Sequence, residues 1–395
     1  MYDAIVIGAR CAGSPTAMLL ARQGYRVLLL EKAQFPRDKL SSHYIHQPGV
    51  ALLGRWGILD DLVEAGCPGI NRESYRGPDV RLDGFSLAVD GYRTTYAPRR
   101  FVLDPILARA AVAAGVEFRE SCTVTGLVFE NDRVVGVRYR TPAGAETTDR
   151  ARLVVGADGM RSLVAREVGA RNVIEDPRMT CTYYSYWSGV PAHFELFDRP
   201  GRWVAAVPTN DDLTLIMTYF PQREYAGVRT AVEPAYLEAV RTTAPELYER
   251  MSAGTREEQL YGTGHQENFF REAHGPGWVL VGDAVHHKDS ITARGITDAF
   301  EQAQSLVECI GDGLHDEAAL RVALKRYESG LNAGFLNLYK GVLNVAELRP
   351  EGRTEMLRHL VGHQELIDRY FSTVSGACSF DDFYNAELLA VLDQV

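Results

Sequence analysis

Gly8-Ala9-Arg10-Cys11-Ala12-Gly13 follows an apolar run, Asp3 to Ile7, and leads into a helical stretch, Ala17 to Gln23. A second apolar run, Arg26 to Leu30, ends at Glu31, with Lys32 next. This spacing suits a phosphate and a sugar. The backbone N–H groups of a tight turn and of a helix start can hold a pyrophosphate, and an acidic residue about 20 positions on can accept hydrogen bonds from ribose hydroxyls. Gly8 permits the turn, and Gly13 lets the helix pack close to the strand. Arg10, Cys11 and Ala12 in the turn, with Lys32 beside Glu31, are expected among the cofactor-binding residues, and Pro15 is tolerated in the first helical turn. Arg10 stands where the usual G-x-G-x-x-G pattern has its middle glycine. The close backbone approach there falls at an L-residue, whose guanidinium points to the phosphates or to a neighbouring loop.

Two later segments repeat the theme of an apolar strand ending in Gly and Asp. Val154-Val155-Gly156-Ala157-Asp158-Gly159 precedes Ser162, a helix cap. Val281-Gly282-Asp283 is followed by a polar loop, His286-His287-Lys288-Asp289-Ser290, and by Gly295-Ile296 at the start of a long helix. Strand ends of this kind are where open α/β sheets bind ligands. Asp283 is placed to bind a polyol hydroxyl, and the helix start at Gly295 to stabilise negative charge. His43 and His46, in the loop after Glu31, and His286 and His287 are the titratable candidates. Imidazole changes charge near neutral pH, which suits a proton relay or a substrate anchor. No carboxylate or cysteine completes a metal set around them, so no metal is expected.

The elements that must position these groups alternate between strand and helix. Val50 to Ala65 reads as one helix, Tyr75 to Ala97 as short strands, and Asp104 to Ala114 as a helix leading into the strand Val116 to Arg119. Thr123 to Phe129, Val134 to Tyr139 and Ala151 to Val155 form a three-stranded meander. From 172 to 261 aromatic stretches alternate as in an antiparallel sheet with one half-buried face, followed by a helix from Pro234 to Met251. The reading is α/β with an α+β insert. A discontinuous Rossmann-like dinucleotide domain covers 1–74, 98–171 and 262–330. The antiparallel-sheet substrate domain covers 75–97 and 172–261, and a helical C-terminal region covers 331–395.

Composition narrows the function further. Lys+Arg 42 against Asp+Glu 52 gives a net charge of -10, which argues against nucleic acid and anionic membrane as partners. No apolar run is long enough to span a bilayer. A strand beginning at Asp3 leaves no room for a signal peptide, and a cytoplasmic protein is expected. The six cysteines include no C-x-x-C pair, so a redox dithiol and an ordinary zinc site are not expected.

Together, Gly8 to Gly13, Asp158-Gly159 and Gly282-Asp283, with Arg100 followed by Leu103 and Leu107, resemble the single-component flavoprotein hydroxylases. That superfamily includes p-hydroxybenzoate hydroxylase, the flavin-dependent halogenases and the geranylgeranyl reductases. The resemblance covers about residues 1–330. It implies a glutathione-reductase-type fold and FAD, with Glu31 on the adenosine ribose, Asp283 on the ribityl chain, Asp158 near the pyrophosphate and the nicotinamide path, and Arg100 along the cofactor. It implies NAD(P)H as a transient donor, since no second dinucleotide motif is present, or electrons from a separate flavin reductase. O2 and a small aromatic or polyketide-like molecule are the implied substrates, with hydroxylation through a flavin hydroperoxide. Dehydrogenation or reduction without oxygen insertion is the alternative. Halogenases carry W-x-W-x-I-P, whereas Trp203-Val204-Ala205-Ala206-Val207-Pro208 has Ala205 at the second Trp. The reductases carry Pro-Cys-Gly-Gly where Ser41-Ser42-His43-Tyr44-Ile45-His46 stands. Ser290 occupies a position that usually holds proline.

Overall fold

The computed structural model describes residues 1–39 and 41–392. Leu40, in the loop after Glu31, and residues 393–395 of the expected C-terminal region lie outside the described residues. Five parallel strands form the central sheet in the order Glu117–Arg119, Val27–Leu30, Tyr2–Ile7, Glu146–Gly156 and Trp278–Leu280. Val27–Leu30 and Trp278–Leu280 are buried throughout. This explains why they read as unbroken apolar runs rather than alternating ones. The helices Gly13–Arg22, Arg100–Ala113 and Gly295–Ile310 share a core with this sheet. The expected meander is present: Thr123–Glu130 pairs antiparallel with Arg133–Arg140, which pairs antiparallel with the first half of Glu146–Gly156.

The aromatic stretches form a second sheet. Thr180–Ser188, Thr214–Pro221, Arg202–Pro208 and Phe194–Arg199 are antiparallel neighbours. Glu73–Arg76 then joins Phe194–Arg199 in parallel and carries Arg81–Gly84 at its edge. The expectation of one half-buried face is corrected here, because both faces are covered. Phe197, Ile216 and Phe220 meet Tyr236, Val240 and Leu247 on one side. On the other, Tyr184, Trp203 and Tyr219 share a core with Ile291, Ala293, Val342 and Phe371. Alternation along a strand records which side chains share a face, not what covers that face, and distant helices supply the cover.

Three expected elements differ from those observed. Val50 to Ala65 is two helices, Gln47–Trp56 and Leu59–Glu64, because Gly57 takes a left-handed φ of 74° and ends the first. Pro234 to Met251 is also two, Val232–Thr243 and Pro245–Ser252. Ala244 precedes a proline and leaves the helical region at φ -134°, ψ 62°. The boundary expected between 330 and 331 falls inside one continuous helix, Glu317–Ala346.

The first turn shows how closely strand and helix meet. A Cβ added at Gly13 would lie 1.7 Å from the Gly8 carbonyl oxygen, and one at Gly8 would lie 2.4 Å from that of Ala157. Gly8 also has a φ of +98°. Gly13→Ala is therefore expected to cost about 3 kcal/mol or more, because backbone and not a flexible side chain must give way. Urea unfolding measures this against Gly334→Ala, where a Cβ meets nothing within 4 Å. That control is expected to be neutral or mildly stabilising. Equal midpoints for the two variants would refute the argument.

Candidate cofactor site

Four strand ends lie in one row. Leu30 is in register with Ile7, Ile7 with Gly156, and Gly156 with Leu280. The chain leaves this row through Glu31, Gly8, Ala157-Asp158 and Val281-Gly282, so four segments remote in sequence open onto one edge. A cavity of about 410 Å³ runs along that edge. Gly8, Arg10, Cys11, Ala12, Glu31, Lys32, Arg100, Asp158, Gly159, Gly282, Asp283, Gly295 and Ile296 line it. Gly13 is not among its lining residues and packs on Gly8.

The polar groups in the wall are only partly satisfied by protein. The Glu31 carboxylate accepts from the Ala9 and Ala33 N–H groups, both at 2.9 Å, leaving lone pairs on both oxygens. Asp158 Oδ2 accepts from the Leu163 N–H at 2.7 Å, while its Oδ1 is buried with no partner. Burial raises the Asp158 pKa. Ser162 caps the following helix by accepting from the Ala165 N–H at 2.9 Å. No side chain caps the Gly295–Ile310 helix, whose first residues line the cavity and offer N–H groups and a partial positive charge.

Arg10 points to the helix Arg100–Ala113. Its Nη1 meets Asp104 Oδ2 at 2.5 Å, and Arg100 donates to Asp104 Oδ1 at 2.8 Å. The Phe35 ring lies 5.5 Å from the Arg10 guanidinium carbon. The sequence offered the phosphates or a neighbouring loop as its direction, and its protein partner lies instead in a helix. Asp104 was not among the expected site residues. Its i,i+4 spacing from Arg100 was the available signal.

A cavity with an acidic residue, a glycine turn and an uncapped helix N-terminus in its wall fits FAD. The unpartnered Asp158 Oδ1 supplies a further free acceptor. Residues 1–331 match the family model described as FAD binding domain. The chain belongs to this family. It is similar to the digeranylgeranylglycerophospholipid reductase of Methanocella arvoryzae, with 29% identity over 83% of this chain and 82% of that one. Its fold is shared with the flavin-dependent brominase Bmp2 at a TM-score of 0.85 and 21% identity, covering 99% of this chain and 97% of that one. PqsL of Pseudomonas aeruginosa, described as a probable FAD-dependent monooxygenase, matches at 0.73 and 20% identity, covering 94% and 99%. The protein is an FAD-dependent oxidoreductase with the expected Rossmann-like domain.

In this flavoenzyme the four histidines have four different settings. His43, at φ 62°, has Nε2 2.6 Å from the Tyr186 hydroxyl and a buried, unpartnered Nδ1. His46 has Nε2 3.1 Å from the Thr292 carbonyl oxygen. His286 stacks on Phe270 at 4.2 Å beside Phe335 and Tyr339, with neither nitrogen partnered. His287 has Nδ1 against the Glu267 carbonyl. His286 and His287 line the cavity, as do Ser41 and Ser42 just before His43. Ser290, in the position usually held by proline, is fixed instead by hydrogen bonds to Gln266 and to the Tyr219 hydroxyl. Sequence reading missed the buried network beneath the Gly295 helix, where Lys288 and Arg294 share Asp298 and Arg294 also reaches Glu301 and the Ser375 carbonyl. Burial lowers the Lys288 pKa to about 7.

Burial depresses His43 and His46 from 6.5 to about 3. Below about pH 6.5 the unfolded chain binds protons that the fold refuses, so stability present above that pH is lost on acidification. Asp289, raised by burial from 3.8 to about 6, works the other way: its carboxyl keeps its proton in the fold across that window. His46→Gln is expected to flatten the acid limb of wild type by about one proton, about 1.4 kcal/mol per pH unit. Urea titrations from about pH 7 to about pH 5 test this. Parallel limbs would exclude a neutral His46 in the fold.

Proposed function

We propose that this flavoenzyme is an NAD(P)H-dependent monooxygenase that hydroxylates an electron-rich aromatic or polyketide-like small molecule. The observation that carries the reading is the buried His43–Tyr186 pair. Burial keeps the imidazole neutral, and in the tautomer whose Nε2–H donates to the Tyr186 oxygen the unpartnered Nδ1 is a hydrogen-bond acceptor. A substrate hydroxyl donating to Nδ1 would be oriented there with more electron density on its oxygen, which raises the nucleophilicity of its ring toward an electrophilic oxygen. Tyr186 fixes the imidazole orientation through Nε2. Arg99, 4.0 Å from the Tyr186 ring and paired with Asp38 and Glu258, holds that phenol in place. FAD, when bound, would supply hydride acceptance and oxygen activation, and the protein would supply orientation, a hydrogen-bond acceptor and exclusion of water.

The cofactor roles follow the cavity wall. Glu31 would hold the ribose and Asp283 the ribityl chain, and the Gly295-Ile296 helix start would stabilise negative charge on the ring. NAD(P)H delivers hydride transiently, or a separate flavin reductase supplies the electrons. Halogenation is not proposed, since Ala205 stands where halogenases carry their second tryptophan. A second reading, reduction of an alkene without oxygen insertion, draws on the 29% identity to the Methanocella reductase.

Purified enzyme with FAD, NADPH or NADH, and a panel of phenols under ¹⁸O₂ separates the two. Monooxygenation places one labelled oxygen in the product. His43→Gln is expected to lower substrate-dependent turnover by about 100-fold with FAD still bound, and Tyr186→Phe by about 10-fold. A reduced alkene product without label would establish the second reading, and full activity of His43→Gln would remove the proposed role of His43.

A further inference from the structure

The buried network beneath the Gly295 helix reaches beyond the cavity. Lys288 and Asp298 both line the cavity. Asp298 is shared between Lys288 and Arg294, whose Nε lies 2.9 Å from Oδ1. Arg294 is only 2% exposed. Its other two nitrogens meet Glu301, at 2.8 Å, and the Ser375 carbonyl oxygen. That carbonyl belongs to the last residue of the helix Gln364–Ser375, where the helix dipole favours a cation. The fit is close: a Cβ added at Gly376 would lie 2.5 Å from Arg294 Nη1. A buried guanidinium N–H left without an acceptor is costly, so Arg294 and this helix end hold their places together.

The same helix covers the aromatic sheet. Leu366, Ile367 and Phe371 share one core with Tyr184, Tyr186, Trp203 and Tyr219. The rest of its docking is polar. Asp368 accepts from the Phe85 N–H at 3.1 Å, Ser372 Oγ accepts from the Leu87 N–H at 2.9 Å, and Ser375 Oγ lies 2.8 Å from Ser86 Oγ. Water can replace such partners, so they fix the helix without making its release prohibitive. Glycines with left-handed φ stand near both of its ends, Gly362 at +91° and Gly376 at +79°. Residues at the ends of an element are where the backbone change of a hinge is absorbed.

We propose that the helix Gln364–Ser375 is a cover over the aromatic sheet whose closure is coupled, through Arg294, to occupancy of the cofactor cavity. The proposal rests on the FAD reading. Beyond its contact with Asp298, Lys288 has two further N–H groups with no acceptor among the described residues. A ligand that offers acceptors at that part of the cavity steadies Lys288, Asp298 and Arg294 in turn. The cover then closes more firmly on the sheet that carries Tyr186, and by linkage a closed cover tightens the ligand. Glu31 and Gly282 leave opposite ends of the four-strand row. ADP, held at Glu31, therefore stops short of Lys288, whereas FAD is long enough to reach it.

Hydrogen exchange read by mass spectrometry on the full chain, with no ligand, with ADP and with FAD, tests this. In wild type FAD is expected to slow exchange across 364–376 by about 10-fold, the scale of an ordinary coupling between sites. ADP should slow exchange only around Gly8 to Glu31. Arg294→Gln should keep the FAD effect at the glycine turn and lose it at 364–376. Gly376→Ala disturbs the same contact from the cover's side and leaves the cavity wall untouched. It should exchange fast over 364–376 with and without FAD, and it serves if Arg294→Gln fails to fold. FAD protection of the glycine turn with no change at 364–376, or full protection there in Gly376→Ala, would overturn the coupling and leave the FAD reading intact. So would equal slowing by ADP, or equal slowing in the helix Val232–Thr243 on the opposite face of the sheet, since either marks a general stabilisation. No protection by FAD anywhere would overturn the FAD reading, and the coupling with it.

Discussion

The structure depends on one row of backbone hydrogen bonds. Leu30, Ile7, Gly156 and Leu280 lie in register at the ends of four parallel strands. In a parallel sheet the strand ends share one edge, so whatever follows each strand must meet its neighbours there. The glycine turn, Glu31, Asp158 and Gly282-Asp283 all start within two residues of that row. A one-residue slip would turn every following side chain to the other face. Tight packing enforces the register. A Cβ on Gly156 would lie 2.8 Å from Leu280 and 2.9 Å from Val164, and one on Gly282 would lie 2.6 Å from Ala12.

The second sheet uses its two faces differently. One is closed by the helices Val232–Thr243 and Pro245–Ser252 and is ordinary core. The other carries Tyr184, Tyr186, Trp203 and Tyr219 toward the loop that follows Gly282-Asp283 and toward the C-terminal helices. Through this face the His43–Tyr186 pair and the cavity wall come together: Tyr186 reaches His43, and Tyr219 reaches Ser290. Arg294 ties the same loop to the Ser375 carbonyl, so the C-terminal segment is fixed to the helix whose N-terminus opens on the cavity.

Charge is handled by pairing inside the wall. Asp104 between Arg10 and Arg100, and Asp298 between Lys288 and Arg294, repeat one arrangement: a buried acid shared by two basic side chains. Such groups are costly to bury singly and hold their geometry once paired.

Sequence alone determined the parts whose physics is local. The apolar runs, the glycine turn, Glu31, the two Gly-Asp strand ends and the meander are all set within a few residues by period, turn chemistry and strand ends, and the family resemblance these motifs carry implied FAD. Helix breaks at Gly57 and before Pro245 were legible in principle, through the same local chemistry. Tertiary structure decided the partnerships. Arg10 meets Asp104 across 94 residues, and His43 meets Tyr186 across 143. The four histidines look alike as loop residues in the sequence, yet the fold leaves one with a phenol, two against carbonyls and one between aromatic rings. Burial, and therefore charge state, is a property of what packs on a side chain from elsewhere in the chain. No local pattern carries it, and for that reason the cofactor was readable from the sequence while the groups that would act on a substrate were not.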